Sequence, residues 1–197
     1  MKTMKTIMIL GAAISVMAFF AGEALAGNDA AKSAVKSHHA QQKQERKAHF
    51  QQQKQENKEF RQSIKDVKGT EKTDAVVAHR ETQYQENRAF VQKQHDENMA
   101  FLQERLVKNT KMSDAQKSEI ASFFESQYNE NVSFRDTQHG ENVAYFTSVA
   151  NDASLSLAQK KTKLKEYFAA QKAETKTHIQ EQKAERQAER EKAKGNN

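Results

Sequence analysis

The chain has no cysteine and no proline among its 197 residues. Without cysteine there are no disulfides, no thiolate chemistry and no Cys-based metal sites. Without proline the strongest helix breaker is missing. Glycine is also scarce: after residue 26 it occurs only at Gly27, Gly69, Gly140 and Gly195. Hydrophobic residues make up 36% and charged residues 29%. That is too little apolar matter for a large globular core, and it fits long helices that each bury a narrow stripe. No nucleophile elbow, Gly-rich phosphate loop, zinc-protease motif or nucleotide signature is present. No enzyme activity and no cofactor are therefore expected.

What is there is mostly Gln, Glu, Lys, Arg and Ala, all good helix formers. The net charge of +6 falls to about +5 when Lys2, Lys5 and Glu23 are left out. Basic residues are interleaved with acids along the chain, which describes a solvated helix surface and not a nucleic-acid site. Residues 1–26 have the form of an export signal. Lys2 and Lys5 make a basic start, an apolar stretch runs from Ile7 to Gly22, and Ala24 and Ala26 flank Leu25 as an Ala-x-Ala cleavage site. The expected mature protein is 27–197, periplasmic or secreted, with no membrane insertion after signal removal.

The mature region repeats. Gln-x-x-Glu-Asn-x-x-Phe occurs at Gln83–Phe90 and Gln94–Phe101, eleven residues apart, and again at Gln127–Phe134. Gln138–Tyr145 is a fourth copy with Tyr for Phe, and Gln53–Phe60 a fifth. Eleven residues make three turns at about 3.67 residues per turn, so one face returns with little drift. With positions lettered a to k, the buried stripe is a, d, e and h. Asn57, Asn87, Asn98, Asn131 and Asn142 fall at a, and Gln53, Gln83, Gln94, Gln127 and Gln138 at h. All the phenylalanines of the mature chain (Phe50, Phe60, Phe90, Phe101, Phe123, Phe124, Phe134, Phe146 and Phe168) fall at d or e. Random placement would put roughly two of them there.

Separators at Lys68-Gly69-Thr70, Asn109–Ser113 and Asn151–Ser156 divide the repeat into blocks. Ser113-x-x-Gln116 and Ser156-x-x-Gln159 have the form of capping boxes. The expected fold is all-α: four helices near 30–67, 71–108, 114–150 and 157–194, in an antiparallel coiled-coil bundle. The last unit of the fourth helix carries Arg186, Glu189 and Arg190 where apolar residues would sit, so the tail beyond about residue 183 is expected to fray.

Phe supplies burial in this scheme, and the amides set the layers between. A side-chain amide in an apolar seam is costly unless partnered, so it penalises every register in which it meets Phe. Five histidines (His38, His39, His49, His79 and His178) also occupy d or e. In a closed up-down bundle His49 and His178 would share a mid-height layer and are the candidates for a metal or pH-sensing pair.

Met112–Lys117, within "MSDAQKSEI", and Leu155–Lys160, within "LSLAQKKTKL", resemble the Leu-Thr-x-x-Gln motifs of the Spy/CpxP family of periplasmic helical chaperones and envelope-stress proteins. The resemblance covers about the last 90 residues. It implies an ATP-independent chaperone that works as a helical dimer on unfolded or envelope-protein clients. The residues themselves leave other classes open: a structural coiled coil that assembles with copies of itself, a lipid-surface helix array, or a metal-binding helical protein.

Overall fold

Strong helix formers with no proline between them give long, uninterrupted helices. The computed structural model describes residues 29–195, which form α1 (Asp29–Ser63), α2 (Gly69–Lys108), α3 (Asp114–Asn151) and α4 (Leu157–Gly195). No strand occurs among the described residues, and the protein is an all-α bundle. The expected export signal at 1–26, with Ala24 and Ala26, lies outside the described residues. No described helix is long and apolar enough to cross a membrane.

The helix ends follow local chemistry. At the start of α3 the Gln116 N–H donates to Ser113 Oγ (3.2 Å) and the Ser113 N–H donates to Gln116 Oε1 (2.8 Å). Ser156 and Gln159 repeat this box before α4. The two boxes satisfy N–H groups that a helix start leaves free. α1 stops at Ser63, four residues before the expected 67. The Ser63 hydroxyl donates to the Phe60 carbonyl, and the Lys72 ammonium gathers the carbonyls of Ile64 (2.9 Å) and Val67 (3.1 Å). Those carbonyls accept from a cation on the next helix, so the turn costs little even though Ile64 suits the helical pattern.

Gly69 opens α2 with a φ of 63°, which L side chains rarely adopt. Gly140 lies within α3 with open space where a Cβ would stand. Opposite effects are expected from the same substitution. Gly140→Ala should raise stability by about 1 kcal/mol and Gly69→Ala should lower it by about 1 kcal/mol, read as shifts in the urea midpoint.

Apolar burial is concentrated where α2 turns into α3. Leu102, Leu106, Ile120 and Phe124 form a buried cluster flanked by Met99, Met112, Ala121 and Phe123. At the far end of this helix pair Val76, Phe146 and Val149 are buried, and the Arg80 guanidinium lies 4.3 Å over the Phe146 ring and 5.8 Å from that of Phe168 on α4. The outer helices differ. α1 buries only Ala31 and Gln42. The buried set as a whole contains Gln42, Gln94, Asn98, Gln127, Gln138, Gln171 and Gln182 beside the apolar residues. With that many amides inside, hydrogen bonding and not area alone must decide how the helices pair.

Each helix packs on its chain neighbours, and the contacts run in opposite order on the two members. His38, His49 and Gln53 on α1 meet Asn98, Asn87 and Gln83 on α2. Consecutive helices are thus antiparallel. No Cα of α1 comes within 8 Å of one in α3 or α4. The tail of α4 differs from expectation: the helix runs to Gly195, and Glu185, Arg186 and Lys192 bond to Gln127 and Glu119 on α3. The segment has no apolar residue larger than Ala, but Glu185, Arg186 and Lys192 have polar partners across the seam.

Candidate functional site

The seams between outer and inner helices are where the repeated residues meet, and each letter of the repeat has a partner there. Asn87 Nδ2 donates to the Gln83 carbonyl one turn back (2.7 Å) and to Gln53 Oε1 across the seam (3.0 Å). With its N–H groups committed, its Oδ1 accepts from His49 Nε2 (2.9 Å), which fixes that imidazole as the Nε2–H tautomer. The His49 ring then lies flat on Phe90, with centroids 4.2 Å apart and planes within 7°.

The same layer recurs. Asn57 Nδ2 donates to the Gln53 carbonyl and to Gln83 Oε1, Asn57 Oδ1 accepts from His79, and His79 stacks on Phe60 at 3.9 Å. Asn98 Oδ1 accepts from His38 (2.8 Å), which stacks on Phe101 at 4.3 Å. On the other seam Asn131 donates to the Gln127 carbonyl and to Gln182 Oε1, and His178 stacks on Phe134 at 4.1 Å.

The Glu of the repeat accepts from the facing Gln: Gln83 bonds Glu56 (2.6 Å), Gln182 bonds Glu130 (2.9 Å) and Gln171 bonds Glu141 (3.1 Å). A residue at position a of the outer helix donates to each inner Gln Oε1. Asn57 serves Gln83, Arg46 serves Gln94, Thr175 serves Gln138 and Arg186 serves Gln127. Sequence reasoning had no role for Arg46, Thr175 or Arg186. The signal was present, since all three occupy the a position that Asn holds elsewhere.

The α3–α4 seam is incomplete in two layers. In that of Asn142 the place of a stacked histidine is taken by Tyr167, which lies on Tyr145 at 3.9 Å and brings no ring N–H, and Asn142 Oδ1 and Gln171 Oε1 are buried without a hydrogen-bond partner. In that of Asn131, His178 stacks on Phe134 but its Nε2 is buried without a partner. The α1–α2 seam leaves no buried Asn, Gln or His atom in that condition among the described residues, although Glu86 Oε2 and Glu97 Oε2 on α2 are buried without one.

The α2–α3 contact uses a different pair. His139 stacks on Tyr84 (3.8 Å) and meets Glu81 (2.7 Å), while His95 stacks on Tyr128 (3.7 Å) and meets Glu125 (3.0 Å). Each residue of one set lies 44 positions from its counterpart in the other, so the long repeat becomes a two-fold relation between the two inner helices. The Tyr84 hydroxyl donates to Asp136, and burial together with that carboxylate pushes its pKa well up.

None of the nine seam phenylalanines is exposed. Phe124, Phe146 and Phe168 are buried, and Phe50, Phe60, Phe90, Phe101, Phe123 and Phe134 are half-buried. Large exposed hydrophobics are Val107, Leu157 and Ile179. The expected His49–His178 pair is not formed. His49 belongs to the α1–α2 seam and His178 to the α3–α4 seam, and no Cα of α1 is within 8 Å of α4. Equal height along the bundle does not bring two residues together when their helices are not neighbours. No group of three or more His, Cys, Asp or Glu among the described residues could hold a metal ion.

Burial holds His39 and His79 below the ordinary imidazole value; His38 and Arg46 add to this at His39, and Arg61 adds to it at His79, where Glu56 opposes. Both belong to the α1–α2 hairpin. As pH falls through the unfolded value of 6.5, the unfolded chain takes up these protons first. Stability is therefore full above that value and declines below it, toward the depressed folded values. The thermal midpoint is expected to be lower at about pH 5.5 than at about pH 7.5, and His39→Gln should shrink the difference.

Compared with known protein families, curated proteins and solved structures, the chain matches none.

Proposed function

We propose that this is an exported, non-enzymatic helical protein that holds unfolded or envelope proteins without ATP, with α1 as a displaceable cover. The observation that supports this reading is the way α1 is attached. It lies over Phe90 and Phe101 of α2, yet Ala31 is its sole buried apolar residue, and its other attachments are three half-buried ring stacks and polar bonds from amide, imidazole, guanidinium and carboxylate groups. Polar layers exchange with water far more easily than an apolar core. Displacing α1 uncovers aromatic rings one hendecad apart between amides, a surface suited to weak, repeated contact with unfolded chains.

The test is aggregation of a chemically unfolded client, followed by light scattering, with purified 27–197 at equal concentration. Suppression without ATP is expected. It should be lost when α1 is tied to α2 by a short thiol crosslinker joining Glu45→Cys and Lys93→Cys, sites whose native side chains meet at 3.1 Å. No suppression by a fully helical protein would end this reading.

A second reading, a coiled coil that assembles with copies of itself, is favoured by the recurrence of the same layer on two helix pairs. It predicts a firm oligomer and no effect on clients.

A further inference from the structure

The inner helices α2 and α3 present the same face. Gln83, Glu86, Asn87 and Phe90 on α2 correspond to Gln127, Glu130, Asn131 and Phe134 on α3, each 44 positions on. The outer helices also present matching faces. His49 and His178 stack on Phe90 and Phe134, and Gln53 and Gln182 accept from Asn87 and Asn131; these pairs lie 129 positions apart, and only the bond from His49 to Asn87 has no counterpart at His178. A helix that fits one inner face therefore fits the other.

We propose that α1 of one copy docks on α3 of a second copy, in the place and register that α4 takes in the closed chain. The proposal rests on the self-assembly reading and names its partner helix. The layer of Asn142 takes part in the exchange. At the same offset of 129, His38 takes the place of Tyr167. There it brings an Nε2–H to Asn142, whose Oδ1 is buried without a partner, and gives up the bond it makes to Asn98 in the closed chain. α4, displaced from α3, matches the face that α1 leaves on α2, so the exchange conserves the number of these bonds and protein concentration sets its extent. The hinge is the short segment 64–68, and short hinges favour exchange between copies.

The chain has no cysteine, so single thiols report contacts cleanly. Glu45 on α1 meets Lys93 of α2 at 3.1 Å, and Thr137 occupies the matching place on α3, 44 positions on. A Glu45→Cys chain and a Thr137→Cys chain are unfolded, mixed, refolded together at high concentration and treated with a short bis-maleimide. The expected result is a crosslinked heterodimer on a denaturing gel. It should be several-fold more abundant than with a Ser126→Cys chain, whose thiol is eleven residues away, one unit out of register. No heterodimer, or equal crosslinking at 126 and 137, would overturn the proposal. The unaltered chain gives a check without any substitution: light scattering after concentrated refolding should show a dimer, and monomer alone would contradict the exchange. None of these readouts uses a client, so this proposal and the chaperone reading fail separately.

Discussion

An Asn87→Leu chain is expected to be less stable by about 2–3 kcal/mol. In an apolar coiled coil, a single seam Asn usually costs stability and is kept for register, so replacing it with Leu would stabilise. The sign reverses here because of what faces the residue. Asn87 serves His49 Nε2 and Gln53 Oε1, and Leu leaves both without that partner, while the Gln83 carbonyl keeps its bond from Gln53 Nε2. Added apolar burial offsets part of the loss, since the site is only half-buried. Urea unfolding followed by circular dichroism measures the change. A gain in stability would mean that the seam behaves as an ordinary apolar one.

A larger effect is expected at the turn of the inner hairpin. Phe124 is 2% exposed and packs with Leu102, Leu106 and Ile120. Phe124→Ala should cost about 3–5 kcal/mol, through lost burial and the cavity left behind. Domains of ordinary stability hold about 5–15 kcal/mol, so the variant should be near the edge of folding at 37 °C, seen as partial loss of helix signal. Phe90→Ala removes the same side chain from a half-buried site, where one ring face meets His49, and should cost only about 1–2 kcal/mol. The ranking matters for mechanism. It makes α2–α3 the firm part of the molecule and α1 the part that can leave.

Much of this was legible in the sequence because it depends on local chemistry. Helix starts at Ser113 and Ser156 need only the Ser and a Gln three residues on. The buried stripe needs only periodicity, which is why the phenylalanines fall where burial or half-burial is found. Partnership is different. A repeat shows which face of a helix is used but not which helix it faces, and the histidines that complete the layers of Asn57, Asn87 and Asn98 come from the opposite helix of the hairpin. His49 and His178 illustrate the limit: their positions along the helices match, yet their neighbours differ. The α4 tail illustrates another. Its charge reads as solvation until Arg186 is seen to donate to Gln127 (3.1 Å), a contact that no pattern in α4 alone contains.

Polar layers, more than apolar area, hold α1 on α2. A double-mutant cycle on His49→Ala and Asn87→Ala, with stability from urea unfolding, measures this directly. A coupling of about 1–2 kcal/mol is expected, because each residue is the other's hydrogen-bond partner. Additive effects, with coupling indistinguishable from zero, would contradict it and leave Phe burial alone to explain the pairing.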